Sequence, residues 1–252
     1  IKEPINPKKQ YTDKYAHRAS ESKTMKLAFK KTALELKKRF KPNLSLEIGS
    51  NDGVFIKNFN KKKIIAVEPC LNLAKITNKA GYITYGKFWT TKLAKDIIKK
   101  KGKLDLIYSA NTISHIPNLN ETFKAISLCL NTNGVFIFED PYIGSVLKNN
   151  SYDQFYDEHV HLFSLLAISS IINKYNLKII DVEILKTHGG SIRFYVTKKL
   201  SKFKPKENVK RIYNQEMRKG FDTLTPYKKF AQRVKNSKQR LLKLLIKLKR
   251  NG

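Results

Sequence analysis

The residues best equipped for chemistry begin at one loop. Glu47-Ile48-Gly49-Ser50-Asn51-Asp52-Gly53 joins a short apolar run to the segment after it. Gly49 lets the chain turn tightly, and Gly53 lets a backbone or a ligand come close. Such a loop carries backbone N–H groups toward a ligand at the edge of a sheet. Glu68 stands 19 residues after Gly49, at the end of the next apolar run. A carboxylate there can accept hydrogen bonds from both hydroxyls of a ribose. Pro69 stiffens the turn that follows. The loop lacks the full G-x-G-x-x-G dinucleotide fingerprint, so the chemistry it points to is the holding of a ribose-bearing cofactor. Glu47, Gly49, Asn51, Asp52, Gly53 and Glu68 are the candidate contacts. Further on, Ser109-Ala110-Asn111 closes another apolar run and His115 follows it. Ala110, Asn111 and His115 are candidates for the cofactor's reactive end, although His115 reads equally as a loop histidine with a structural bond. Phe88 and Trp89 either flank an adenine or belong to the core.

Elements that would position these residues alternate along the chain. Short apolar strands are expected at 44–49, 64–68, 82–85, 104–109 and 135–139. Helices are expected between them near 53–60, 71–79, 91–100 and 120–130. That rhythm belongs to a parallel sheet covered by helices on both faces. Ahead of it lie a polar lead-in over 1–20, containing Tyr11, Tyr15 and His17, and a helix over 23–40 ended by Pro42. The pattern changes after Pro141. Residues 142–163 read as an inserted loop rich in Tyr, Phe, Asp and His, with a helix at 165–175 beyond it. Strands at 178–185 and 191–199 are separated only by Lys186 to Gly190. That gap is too short for a parallel crossover, so the two strands must form an antiparallel hairpin. The fold class is therefore α/β: a mostly parallel, doubly wound sheet ending in an antiparallel hairpin, the class I fold of methyltransferases that use S-adenosylmethionine (SAM). Three regions follow: a lead-in and helix over 1–41, a SAM-binding domain over 42–200, and a basic helical extension over 201–252, helical throughout 205–249 with Pro226 as a break.

Composition bounds the rest. The 252 residues, 41% hydrophobic, suffice for one α/β domain with added helices. No run approaches the roughly 20 apolar residues of a membrane span. Cys70 and Cys129 form neither a CxxC pair nor a disulfide framework, so no metal site is expected and a reduced cytoplasmic setting is the plain reading. The net charge is +31, and 19 of the 51 Lys and Arg fall in 198–250 against three acids. Such a surplus raises nucleic acid as a partner. A solvated lysine-rich surface with no specific nucleic-acid site is the favoured reading, since the lysines are scattered and no base-reading module is present.

A more specific signal lies in the inserted loop, Tyr152-Asp-Gln-Phe-Tyr156-Asp-Glu158-His159-Val-His161-Leu-Phe163, and in Thr187-His188-Gly189-Gly190-Ser191-Ile192-Arg193. With Glu47–Gly53 and Glu139-Asp140-Pro141-Tyr142, these stretches resemble the sugar C-methyltransferase family, which methylates a ring carbon of nucleotide-linked deoxysugars. The resemblance runs over about residues 10–250. It implies that Tyr156 and His159 are a catalytic pair, with Glu158 orienting the histidine or holding the substrate. It also implies a nucleotide-sugar substrate, for which Tyr142, His161, His188 and Arg193 are candidate contacts. Full-length members carry an N-terminal zinc-binding domain and a C-terminal Rossmann-like domain; neither is expected within this sequence.

The chemistry implied suits those residue types. A ring carbon is not a nucleophile until it loses a proton, and a carbon beside a ketone is acidic enough for an enzyme base. Histidine, with a reference pKa near 6.5, is such a base, and a tyrosine hydroxyl can steady the enolate oxygen. Three alternatives compete: a nucleic-acid methyltransferase, a small-molecule O- or N-methyltransferase, and a non-catalytic SAM-binding fragment. Asp140-Pro141-Tyr142 resembles the Asp-Pro-Pro-Tyr loop of amino-group methyltransferases, but that loop belongs at the end of the fourth strand, where this chain has Ser109-Ala110-Asn111.

Overall fold

The computed structural model describes residues 3–251, and His188 without its side chain. Seven strands form one sheet: β1 (Ser45–Ile48), β2 (Ile64–Val67), β3 (Ile83–Tyr85), β4 (Leu104–Ala110), β5 (Leu130–Pro141), β6 (Leu177–Leu185) and β7 (Ser191–Lys198), in the order β3-β2-β1-β4-β5-β7-β6. β1 to β5 pair in parallel, while β7 runs antiparallel between β5 and β6. The sheet is thus the class I methyltransferase arrangement expected from the hairpin spacing. Strand order reverses between β1 and β4, where open α/β sheets leave a crevice for ligands.

Each central strand is buried on both faces, which explains its unbroken apolar character. One core layer holds Leu46, Ile65, Ile107, Phe136, Phe138 and Phe194 under α4 (Thr91–Lys101), α5 (Leu119–Cys129) and α7 (Leu165–Asn173). The other holds Leu36, Phe55, Ile56, Tyr108, Ile137 and Tyr195 under α2 (Lys23–Phe40). α2 is capped by the Ser22 side chain, which accepts from the Met25 N–H, and ends with Lys41 in the left-handed region before Pro42. α1 (Pro7–Gln10) is a single turn in the lead-in, and α3 (Leu71–Lys79) links β2 to β3.

Three expectations need correction. No helix covers 53–60; a 3-10 turn at Ile56–Asn58 stands there instead. The Asn58 amide donates to the carbonyls of Val54 and Phe55 and so competes with a helical ladder. The segment 142–163 is not all loop, because α6 (Ile143–Asn149) opens it, burying Ile143, Val146 and Leu147 and stopping at Asn150 in the left-handed region. The C-terminal region is two helices, α8 (Glu207–Arg218) and α9 (Thr225–Arg250). The break lies at the Lys219–Leu224 turn, while Pro226 sits in the first turn of α9, where its missing N–H costs nothing.

Candidate functional site

A cavity of about 680 Å³ opens at the carboxyl ends of β1, β2 and β4. The loop after β1 forms its floor. Gly49 has φ +73, and a Cβ there would run into the Thr112 side chain, so the residue must be glycine. Its N–H donates to Val67 O, which locks the loop to β2. Asn51 takes φ +49, a left-handed conformation that asparagine tolerates. Its main-chain N–H donates to Glu68 Oε2 at 2.7 Å, and the Cys70 N–H donates to Glu68 Oε1 at 2.9 Å. Burial raises the Glu68 pKa against these bonds. Glu47 is 3% exposed, its Oε2 has no hydrogen-bond partner among the described residues, and burial, then Glu68, pushes its pKa well up.

Glu47, Gly49, Asn51, Glu68, Phe88, Ala110, Asn111 and His115 all line this cavity. Asp52 and Gly53 lie behind its wall. Asp52 Oδ1 accepts from the Ser20 N–H, and Gly53 owes its lack of a side chain to Thr77 and Ile56 packed against it. Trp89 is buried on the wall, with its indole N–H directed to Thr122 O.

The opposite wall carries Gln154, Tyr156, Glu158 and His159. His159 Nδ1 lies 2.9 Å from Gln154 O, and Nε2 lies 2.9 Å from the Tyr156 hydroxyl. A carbonyl can only accept, so Nδ1 carries a proton, and in the neutral ring Nε2 is the bare nitrogen, accepting from the phenol. The orienting bond to the ring thus comes from a main-chain carbonyl. Burial, and then the neighbouring Glu158, raises the Tyr156 pKa, which keeps the phenol protonated. Glu158 itself is raised by burial, with His17 acting in the opposite direction. His115 stands with its ring centroid 5.3 Å from that of His159. Burial, then His159, lowers its pKa to about 3, so it is neutral. Its Nδ1 pairs with the Tyr11 hydroxyl at 2.9 Å, and its Nε2 has no hydrogen-bond partner among the described residues.

Three expected substrate contacts are placed off this cavity. Arg193 is committed to Glu139 and Glu183, at 3.1 and 3.2 Å, and borders a separate cavity of about 230 Å³. A guanidinium so neutralised is poorly suited to a phosphate. Tyr142 is buried in the core beside Glu216. His161 stacks on Phe163, with Nε2 facing Pro117 O at 3.3 Å. The His188 side chain lies outside the described residues. Conversely, sequence reasoning passed over Tyr11, Tyr15 and His17, which line the cavity from the lead-in. Their clustering within an otherwise polar segment was the available signal.

A family model described as a methyltransferase domain matches residues 15–182. The chain belongs to the methyltransferase-domain family. Its cofactor is SAM. A second model, described as a C-methyltransferase C-terminal domain, matches residues 186–252 of this methyltransferase. The C-methyltransferase NovU of Streptomyces niveus is 29% identical over 191 residues, which is 75% of this chain and 46% of NovU. The methyltransferase described here thus spans about half the length of that relative. Among solved structures, a SAM-dependent methyltransferase from Clostridium acetobutylicum is 17% identical with a TM-score of 0.53, over 71% of this chain and 93% of that one. The plantazolicin methyltransferase BamL, solved with S-adenosylhomocysteine, is 12% identical with a TM-score of 0.54, over 71% and 88%. At these identities the likeness is one of fold.

Proposed function

We propose that this methyltransferase acts on a ring carbon of a nucleotide-linked keto-deoxysugar, by base-assisted enolate formation followed by methyl transfer. The observation that carries the reading is the Tyr156–His159 pair, whose tautomer is fixed by Gln154 O and which opens on the same cavity as Gly49 and Glu68. The likeness to NovU, a C-methyltransferase, supports carbon as the acceptor.

The residues present fit SAM. Each Glu68 oxygen accepts one backbone N–H, the Cys70 thiol also bonds the carboxylate, and the lone pairs that remain can take a ribose hydroxyl. The orphaned Glu47 Oε2 is a buried polar atom at the cavity wall, suited to a cationic or N–H-bearing ligand group. The cavity volume lies within the usual range for small-molecule sites, roughly 300–1,000 Å³. When bound, SAM supplies an activated methyl group, so the chain's own task is to make the acceptor carbon nucleophilic.

His159 Nε2 removes the proton beside the ketone. The phenol of Tyr156, kept protonated by burial, moves its hydrogen bond from Nε2 to the ketone oxygen as negative charge gathers there. That shift exposes the nitrogen lone pair only when a carbonyl is in place. Glu158 lies on the cavity wall near His17 and can hold a sugar hydroxyl.

The test is deuterium exchange of a 4-keto nucleotide sugar in heavy water without methyl transfer. The wild type is expected to exchange the hydrogen beside the ketone, and His159→Ala to lose about 10²–10⁴-fold of that rate. Exchange and methylation by His159→Ala at the wild-type rate would remove the histidine from the mechanism. Methylation of a hydroxyl with no carbon-bound exchange would point instead to O-methylation.

A further inference from the structure

The lead-in is tied down in an unexpected way. Residues 11–20 cross the carboxyl edge of the sheet as a strap, and Tyr11, Tyr15, Ala16, His17 and Ala19 form one wall of the cavity. Apart from a single 3-10 turn at Ala19–Glu21, the strap has no helix or strand of its own. It is held from the cofactor side. Asn72 Nδ2 donates to Tyr15 O at 2.9 Å, and the Ser20 N–H donates to Asp52 Oδ1 at 3.2 Å. Asn51 binds it with both amide atoms: Nδ2 donates to His17 O at 3.1 Å, and Oδ1 accepts from the Ala19 N–H at 3.0 Å. The same residue's main-chain N–H is bonded to Glu68 Oε2. One residue in the left-handed region therefore touches the ribose-binding carboxylate with its backbone and the strap with its side chain. At its other end the strap reaches the reaction centre, through Tyr11 on His115 and His17 beside Glu158.

We propose that Asn51 is a positioning residue that couples occupancy of the cofactor site to closure of the 11–20 strap. The inference rests on the reading of Glu68 as the ribose carboxylate. Ribose hydroxyls on Glu68 fix the carboxylate that holds the Asn51 backbone, and this fixes the rotamer that grips His17 O and the Ala19 N–H. A segment held by a few part-buried hydrogen bonds opens locally at low cost, so the strap is the element through which the cofactor leaves. Closure also brings Tyr11 to His115, so the wall facing the substrate is complete only when the cofactor is in place.

Two readouts test this: hydrogen–deuterium exchange of peptides spanning 3–22 with and without S-adenosylhomocysteine, and the dissociation rate of S-adenosylhomocysteine in a displacement experiment. In the wild type, bound S-adenosylhomocysteine is expected to slow exchange at the Ala19 and Ser20 amides. Asn51→Gly keeps the left-handed backbone and deletes the grip; it is expected to abolish that added protection and speed dissociation about tenfold, the loss of one or two ordinary hydrogen bonds. Ala19→Pro removes the donor from the strap side. It stands at the first position of a 3-10 turn after Arg18 in the extended region (φ −123, ψ 116), a backbone that accepts proline, and by displacing the Asn51 amide from the strap it should reproduce both effects with the sequence of the cofactor loop unchanged. Strap exchange indifferent to S-adenosylhomocysteine, or wild-type dissociation rates in both variants, would overturn the coupling. A Glu68→Ala variant separates the two readings. If its affinity for S-adenosylhomocysteine equals the wild type's, the ribose assignment fails and the coupling with it; if affinity falls while the strap stays indifferent, only the coupling fails.

Discussion

Asp140 illustrates how a single buried group can bear on both stability and the site. It is fully buried at the end of β5, and its Oδ1 accepts from the Ser114 N–H at 3.0 Å. Burial raises its pKa from 3.8 to about 7, with Ser114 opposing. The folded state therefore binds this proton more tightly than the unfolded chain does. The contribution to stability is intact below about pH 4 and is lost as pH rises toward 7, at up to about 1.4 kcal/mol per pH unit. Asp140→Asn keeps an acceptor for Ser114 and cannot ionise. Urea denaturation is expected to find the variant more stable than the wild type by a few kcal/mol at pH 8, with the difference shrinking toward pH 4.5. A difference independent of pH would show that Asp140 titrates normally. The turn it holds carries His115, which a local reading of the sequence leaves divided between a cofactor contact and a loop histidine. The Tyr11 hydroxyl that bonds it comes from 104 positions away, and no spacing rule spans that separation. The bonds that tie the glycine loop to β2, by contrast, were legible because they are short in sequence: the Asn51 N–H on Glu68 and the Gly49 N–H on Val67 O each span fewer than 20 residues.

Among the elements, those with a clear period or cap match expectation: α2, α3, α4 and the β6–β7 hairpin lie within a residue or two of their anticipated bounds. The misreadings fell where side chains override the pattern. Asn58 limits the segment after the glycine loop to a 3-10 turn, and apolar burial turns the start of the inserted loop into α6. A further device shows only in three dimensions. Glu216 of α8 is fully buried, and its two oxygens accept from the Leu165 and Leu166 N–H groups at the start of α7, each at 2.9 Å. A helix N-terminus is a favourable place for a carboxylate, so α8 serves as a remote cap for α7 and braces the loop that ends at Phe163. Glu216→Ala strands two buried donors. It is expected to cost about 2–4 kcal/mol in chemical denaturation, with faster amide exchange concentrated at the start of α7. A loss below about 0.5 kcal/mol would show that the Ser164 cap, which accepts from the Ala167 N–H, suffices alone.

At the scale of the whole molecule the charge is divided from the chemistry. The cavity wall carries Glu47, Glu68 and Glu158, whereas 19 of the 51 basic residues crowd into 198–250, chiefly on α8 and α9. Along the outer half of α9, Leu241, Leu242, Leu244, Leu245, Ile246 and Leu248 are exposed among lysines and arginines, so this helix adds nothing to the cavity. Basic residues spread along an exposed helix attract any polyanion by releasing counterions, and that attraction carries no base information. The molecule is accordingly expected to bind RNA and heparin alike at 50 mM salt, with affinity falling by at least about 10²-fold by 200 mM. Anisotropy titrations with two RNAs of equal length and unrelated sequence should give the same affinity at each salt concentration. They should also leave S-adenosylhomocysteine binding unchanged, because no residue of α8 or α9 lines the cofactor cavity among the described residues. Tight binding of one RNA but not the other at physiological salt, or competition between RNA and S-adenosylhomocysteine, would instead make nucleic acid a partner of the catalytic face and return the nucleic-acid methyltransferase reading to first place.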